Sequence, residues 1–132
     1  MEEDISWIYS LKTIAVVGMS RDKKKPAHYV PQYLKKIGFT LFPVNPSAFE
    51  IMGEKVYSAL TDIPEPVDIV LMFRPSENVP DFLEDILSIH PQVLWMQLGI
   101  KNSTVKEKAE EQGIQVIMDR CMMQEHKRLF GD

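Results

Sequence analysis

Apolar residues gather in five short runs, at positions 14–17, 41–44, 67–73, 93–96 and 114–118, and only Asp68 interrupts the third. A strand with one wet face alternates apolar and polar residues, whereas a strand covered on both faces does not. The five runs therefore predict strands of a parallel sheet held between two helical layers. Between them the spacing turns helical. Val30, Leu34 and Ile37 share one face, with Gly38 as a natural stop. Val79, Phe82, Leu83, Ile86 and Leu87 mark a second helix, which Ser76 is placed to cap and whose first turn tolerates Pro80. A polar helix is predicted over 104–112, with Thr104 and Glu107 as a capping box and Gly113 at its end. Shorter helices are expected over 4–11 and 122–129. The stretch 45–66 carries Pro46, Gly53, Pro64 and Pro66 and reads as a loop with at most one helical turn near 58–61.

This alternation defines an α/β class: a three-layer Rossmann-like domain with a five-stranded parallel sheet and right-handed crossovers. Order 3-2-1-4-5 is favoured over 2-1-3-4-5. The 132 residues form one domain, 1–132, of ordinary globular composition, 45% hydrophobic and 26% charged. The single cysteine excludes an intramolecular disulfide and a cysteine-built zinc site. A net charge of −4 speaks against broad nucleic-acid binding. No apolar run nears the ~20 residues of a membrane span, and the acidic start at Glu2, Glu3 and Asp4 is unlike a signal peptide. A cytoplasmic location is expected, with neither nucleic acid nor membrane as partner.

Ligands of such sheets bind outside the carboxyl ends of the strands. The residues following each strand are therefore the candidates. After strand 1 come Gly18, Met19 and Ser20, then the basic run Arg21, Lys23, Lys24 and Lys25. Strand 2 ends in Val44, Asn45 and Pro46, strand 3 in Phe73, Arg74 and Pro75, strand 4 in Gln97 and Gly99, and strand 5 in Arg120 and Cys121. The first loop has the makings of a phosphate site: a glycine for close backbone approach, a hydroxyl, a helix N-terminus and cations. The plain alternative is a tight turn followed by solvated lysines. An NAD fingerprint needs three glycines and an acid after strand 2, and neither is present. A P-loop is likewise missing. A phosphorylated adenosine ligand with extra negative charge remains, and coenzyme A fits that description.

These strings in this order, with residues 53–57, 62–68 and 95–99, resemble the family of small stand-alone CoA-binding proteins. That family is similar to the N-terminal CoA-binding domain of the succinyl-CoA synthetase α subunit. The resemblance covers about residues 11–131. It implies CoA lying across the ends of strands 1 and 2. Gly18, Met19 and Ser20 would line the phosphates, one of Lys23, Lys24 and Lys25 would neutralise them, and Val44, Asn45 and Pro46 would border the adenosine. Phe73, Arg74 and Pro75 would wall the cleft with Val79, while Gln97 and Gly99 would follow the pantetheine. Where family members carry a basic residue after the Asn-Pro pair, this chain has Ser47 and Ala48.

Cys121 has two readings, a buried core thiol or the partner of CoA in a mixed disulfide. No catalytic set and no metal site can be assembled, and these residues hold no second domain with the phosphorylated histidine that ligase chemistry needs. The expected function is binding of CoA or acyl-CoA by a non-catalytic or regulatory module. The alternatives are a small NAD(P)-binding or redox enzyme, and a protein-interaction domain with a vestigial pocket.

Overall fold

The computed structural model describes residues 4–47 and 50–131. In chain order the strands are β1 Thr13–Val17, β2 Thr40–Val44, a small hairpin of β3 Glu50–Ile51 and β4 Glu54–Lys55, then β5 Ile69–Met72, β6 Val93–Met96 and β7 Gln115–Ile117. The helices are α1 Pro26–Lys36, α2 Leu83–Ile89, α3 Ser103–Glu111 and α4 Met122–Phe130. All five apolar runs become strands of one parallel sheet, as their two-faced burial requires. Ile14, Val16, Leu71 and Trp95 point to the face covered by α1 and α4. Ala15, Val17, Met72 and Met96 point to the face covered by α2 and α3. Among the described residues, no helix is long and apolar enough to cross a membrane.

The sheet order is β2-β1-β5-β6-β7. Counted by the five runs alone this reads 2-1-3-4-5. A further segment, however, lies parallel outside β2 through a bridge between Val44 and Tyr57. The Tyr57 amide donates to the Pro43 carbonyl and the Asn45 amide to the Tyr57 carbonyl. With that segment as the third, the expected pattern 3-2-1-4-5 is present. Its third place is filled from the 45–66 stretch, not from the 67–73 run. The segment stays a single bridge because the Pro43 carbonyl faces it and proline has no N–H to donate on the same side.

Local differences from expectation trace to single residues. The 4–11 segment forms only a 3-10 turn, Ser6–Ser10. Residues Ser76–Phe82 are also 3-10, and α2 begins only after Pro80, which lacks the N–H that an α-helix would use there. Ser76 caps nothing; its hydroxyl accepts the Lys101 amide at 3.0 Å. Asn102, not Thr104, caps α3 by accepting the Val105 amide at 3.0 Å. Asparagine is the stronger cap and stands two residues earlier. The expected turn near 58–61 is a 3-10 turn at Leu60–Asp62.

Asp68, the polar residue inside the third apolar run, joins the amino ends of three strands. Its carboxylate accepts the Lys12 and Thr13 amides at 2.9 and 3.2 Å. Its own amide donates to the Thr13 hydroxyl, and its carbonyl accepts the Gln92 and Val93 amides. Asp68→Ala leaves two amides without their acceptor. It should lower stability by about 1–3 kcal/mol, read as a fall of several degrees in Tm, with ligand affinity unchanged because the site lies at the opposite sheet edge.

Candidate functional site

At its carboxyl end β1 is held from both sides. The Gly18 amide donates to the Val44 carbonyl of β2 at 3.0 Å, and the Val17 carbonyl accepts the Phe73 amide beyond β5 at 2.9 Å. The chain then leaves β1 toward the α1 face, whereas after β5 it leaves toward the α2 face. Such a divergence between neighbouring strands opens a crevice at their carboxyl ends. Gly18 adopts φ +84°, and a β-carbon there would meet the Arg74 side chain at 3.2 Å. The glycine is needed for its backbone angle and for the Arg74 stem that lies over it.

Side chains fix the loop between β1 and α1. The Asn45 amide group donates to the Met19 carbonyl at 3.2 Å, while its oxygen accepts the Ser47 amide at 2.8 Å. Ser20 donates its amide to the Ala27 carbonyl, and its own carbonyl lies 2.7 Å from Nδ1 of the buried His28. A carbonyl can only accept, so Nδ1 carries the hydrogen. The Ser20 hydroxyl accepts the Asp22 amide, which leaves its proton to donate elsewhere. Arg21 bonds the Glu50 carbonyl through Nε at 3.3 Å.

Two contiguous hollows result. One, of about 460 Å³, runs along Gly18, Met19, Ser20, Arg21, Lys25 and Phe73. The other, of about 390 Å³, lies against Val44, Pro46, Ser58, Arg74 and Phe82. They share Gly18, Asn45 and Ser47, so they form one cleft. Its described lining includes the cations Arg21, Lys25 and Arg74 and no carboxylate. The Arg74 guanidinium has no hydrogen-bond or ion-pair partner among the described residues. A protein of net charge −4 thus turns a wholly basic cleft toward the place where the fold binds ligands.

Residues 12–127 match the family of the CoA binding domain. The chain belongs to that family. It is 38% identical over 115 residues to an uncharacterized protein, YneT, of Bacillus subtilis, covering 87% of this chain and 85% of that one. It is 34% identical over 104 residues to the ADP-forming acetate–CoA ligase II of Archaeoglobus fulgidus, covering 77% of this chain but only 14% of the ligase. A solved structure from Thermus thermophilus superposes with a TM-score of 0.90 at 44% identity, over 95% of each chain.

In this CoA-binding domain the structure brings together Gly18, Met19, Ser20, Lys25, Val44, Asn45, Pro46, Phe73 and Arg74. Lys23 and Lys24 are exposed on the same loop, and Pro75 precedes the 3-10 helix after β5. Four expected residues lie elsewhere. Val79 is buried in the core beneath α2. Gln97 is buried, its oxygen accepting the Met122 amide at the start of α4. Gly99 donates its amide to the Asp119 carboxylate. Cys121 is 7% exposed and packs in the core with Trp95 and Met122. These last three belong to the β6 and β7 ends, two or three strands away from β1. The departure at Ala48 lies outside the described residues. The residues not anticipated, Ser58 and Phe82, reach the cleft through the Tyr57 bridge and the 3-10 helix.

Gly18→Ala should destabilise the fold by about 1–2 kcal/mol through its left-handed angle, with a further loss from the Arg74 contact. Adding Arg74→Ala should recover the second part only, so a double-mutant cycle in urea should show coupling between the two sites. Strict additivity would contradict this account of Gly18.

Proposed function

We propose that the chain binds coenzyme A, free or acylated, in this cleft and performs no chemistry of its own on it. The observation that carries the reading is a cleft whose described lining holds no carboxylate and sets around Gly18 Arg21, Lys25 and an Arg74 that has no partner among the described residues. The diphosphate sits over Gly18, Met19 and Ser20, where the Ser20 hydroxyl and the three cations meet it. Lys23 and Lys24, exposed on the same loop, strengthen the local positive field. The adenosine lies beside Val44, Asn45 and Pro46. The reading of the cleft as a binding module rests on its described lining, which offers no His, Cys, Asp or Glu for acid–base or nucleophilic work. An NAD reading is disfavoured by the end of β2, where Asn45 stands in place of an acid and spends both its polar atoms on backbone, at Met19 and Ser47.

Ligand that binds only the native state raises its stability, by about 2.7 kcal/mol at a hundred times the Kd. Millimolar CoA should therefore raise Tm by several degrees, dephospho-CoA by less, and NAD not at all. Equal shifts with NAD, or none with CoA, would contradict the proposal. Arg74→Ala should weaken CoA about tenfold, the loss of one charge-assisted contact, with Tm of the free protein little changed.

Cys121 supplies a separate check. Its buried position favours the core reading over the mixed disulfide. Native protein incubated with oxidised CoA should gain no mass, and unfolded protein should gain one CoA; a native adduct lost in Cys121→Ser would reverse that reading.

A further inference from the structure

A second hollow, of about 630 Å³, lies on the other side of the same loop, between α1 and the β3–β4 hairpin. That volume is within the range of small-molecule sites, ~300–1,000 Å³. Its inner wall is apolar at Ile51, which is 2% exposed. Its rim carries Arg21, Lys23, Lys35 and Lys36 against one carboxylate, Glu50. Lys35 is already paired with Glu54 at 3.3 Å. The hairpin that closes the hollow turns through Met52 and Gly53, both at positive φ (55° and 75°). A left-handed methionine is unusual, and here it holds Ile51 and Glu50 against α1.

His28 gives this hollow its chemical character. The ring is 4% exposed yet lines the hollow. Nδ1 is committed to the Ser20 carbonyl at 2.7 Å. Nε2 has no partner, and among the described residues no fully buried side-chain nitrogen or oxygen lacks one. Nε2 therefore keeps some open surface, and the hollow is the space that the His28 residue lines. Because Nδ1 holds the hydrogen, the neutral ring presents a lone pair there. A ligand that satisfies the site brings a hydroxyl donor for Nε2, an apolar side for Ile51 and an anion for the rim.

We infer that this hollow is a binding site, separate from the CoA cleft, for a phosphate monoester that bears hydroxyl groups. Nucleoside monophosphates and sugar phosphates share that chemistry. The site is coupled to the cleft by construction, since the ring that meets its ligand also holds the Ser20 carbonyl of the phosphate loop. Arg21 lines both hollows.

The test follows the side-chain nitrogens of ¹⁵N-histidine-labelled full-length protein by NMR, with AMP, glucose 6-phosphate and inorganic phosphate as separate titrants. The His28 signals are identified by their loss in His28→Gln. At least one ester should shift Nε2 of His28 and bind about tenfold tighter than inorganic phosphate; the tighter of the two esters names the source. Lys36→Glu, on the rim of the hollow alone, should weaken that ester about fivefold. Arg74→Ala, which alters only the cleft, should leave its affinity within about twofold. The inference is overturned if neither ester moves Nε2, if inorganic phosphate binds equally well, or if affinity follows Arg74 and not Lys36. These arms do not require CoA to bind, so they fail independently of the CoA reading.

Discussion

The cleft depends on one hydrogen bond, from the Gly18 amide to the Val44 carbonyl. It extends the β1–β2 ladder one residue beyond the strand and fixes where β1 must stop. Past that point the chain can turn only through a left-handed angle, which glycine adopts freely and other residues resist. The turn delivers Met19 and Ser20 to the carboxyl edge, and two side chains then lock them there. Asn45, at the end of β2, holds the Met19 carbonyl; His28, at the start of α1, holds the Ser20 carbonyl. The loop after β1 is thus built by its neighbours, and the Ser20 hydroxyl keeps its proton to donate beside the nearby cations.

Charge is arranged with the same economy. The net charge of −4 describes the whole chain and not the cleft. The cations of the loop and Arg74, just past β5, line the crevice beside β1, while the described carboxylates lie off the cleft lining. In a partly enclosed, low-dielectric crevice such a field acts on a polyphosphate more strongly than the same charges spread over a surface. The described lining offers hydroxyl and amide donors together with cations. The A. fulgidus ligase devotes only 14% of its length to the region shared with this chain.

Much of the fold was legible because burial on both sheet faces leaves a direct trace in the sequence. Ile14 through Val17 and Val93 through Met96 have no polar member, and both became central strands. The loop after β1 was legible because Gly18 sits immediately behind such a run. What escaped notice depends on contacts distant in sequence. Tyr57 pairs with Val44 through one bridge that no local pattern marks, and this brings Ser58 to the cleft and sets the outermost place in the sheet. Gln97, Gly99 and Cys121 do stand at the carboxyl edge, as expected, but the sheet order places their strands away from Gly18. A list of strand ends gives the edge; only the lateral order gives the neighbours. Asn45 is read from the sequence as a neighbour of the adenosine, and the structure shows that it holds the Met19 carbonyl as His28 holds that of Ser20.

The central claim is that CoA occupies the crevice between the ends of β1, β2 and β5. Backbone amide chemical-shift mapping during a CoA titration tests it most directly. The account predicts that the largest changes fall on Gly18, Met19 and Ser20, on Asn45 and Ser47, and on Phe73 and Arg74, while the amides around Asp68 at the opposite edge stay still. Changes centred on the β6 and β7 ends, or at the amino edge of the sheet, would contradict it.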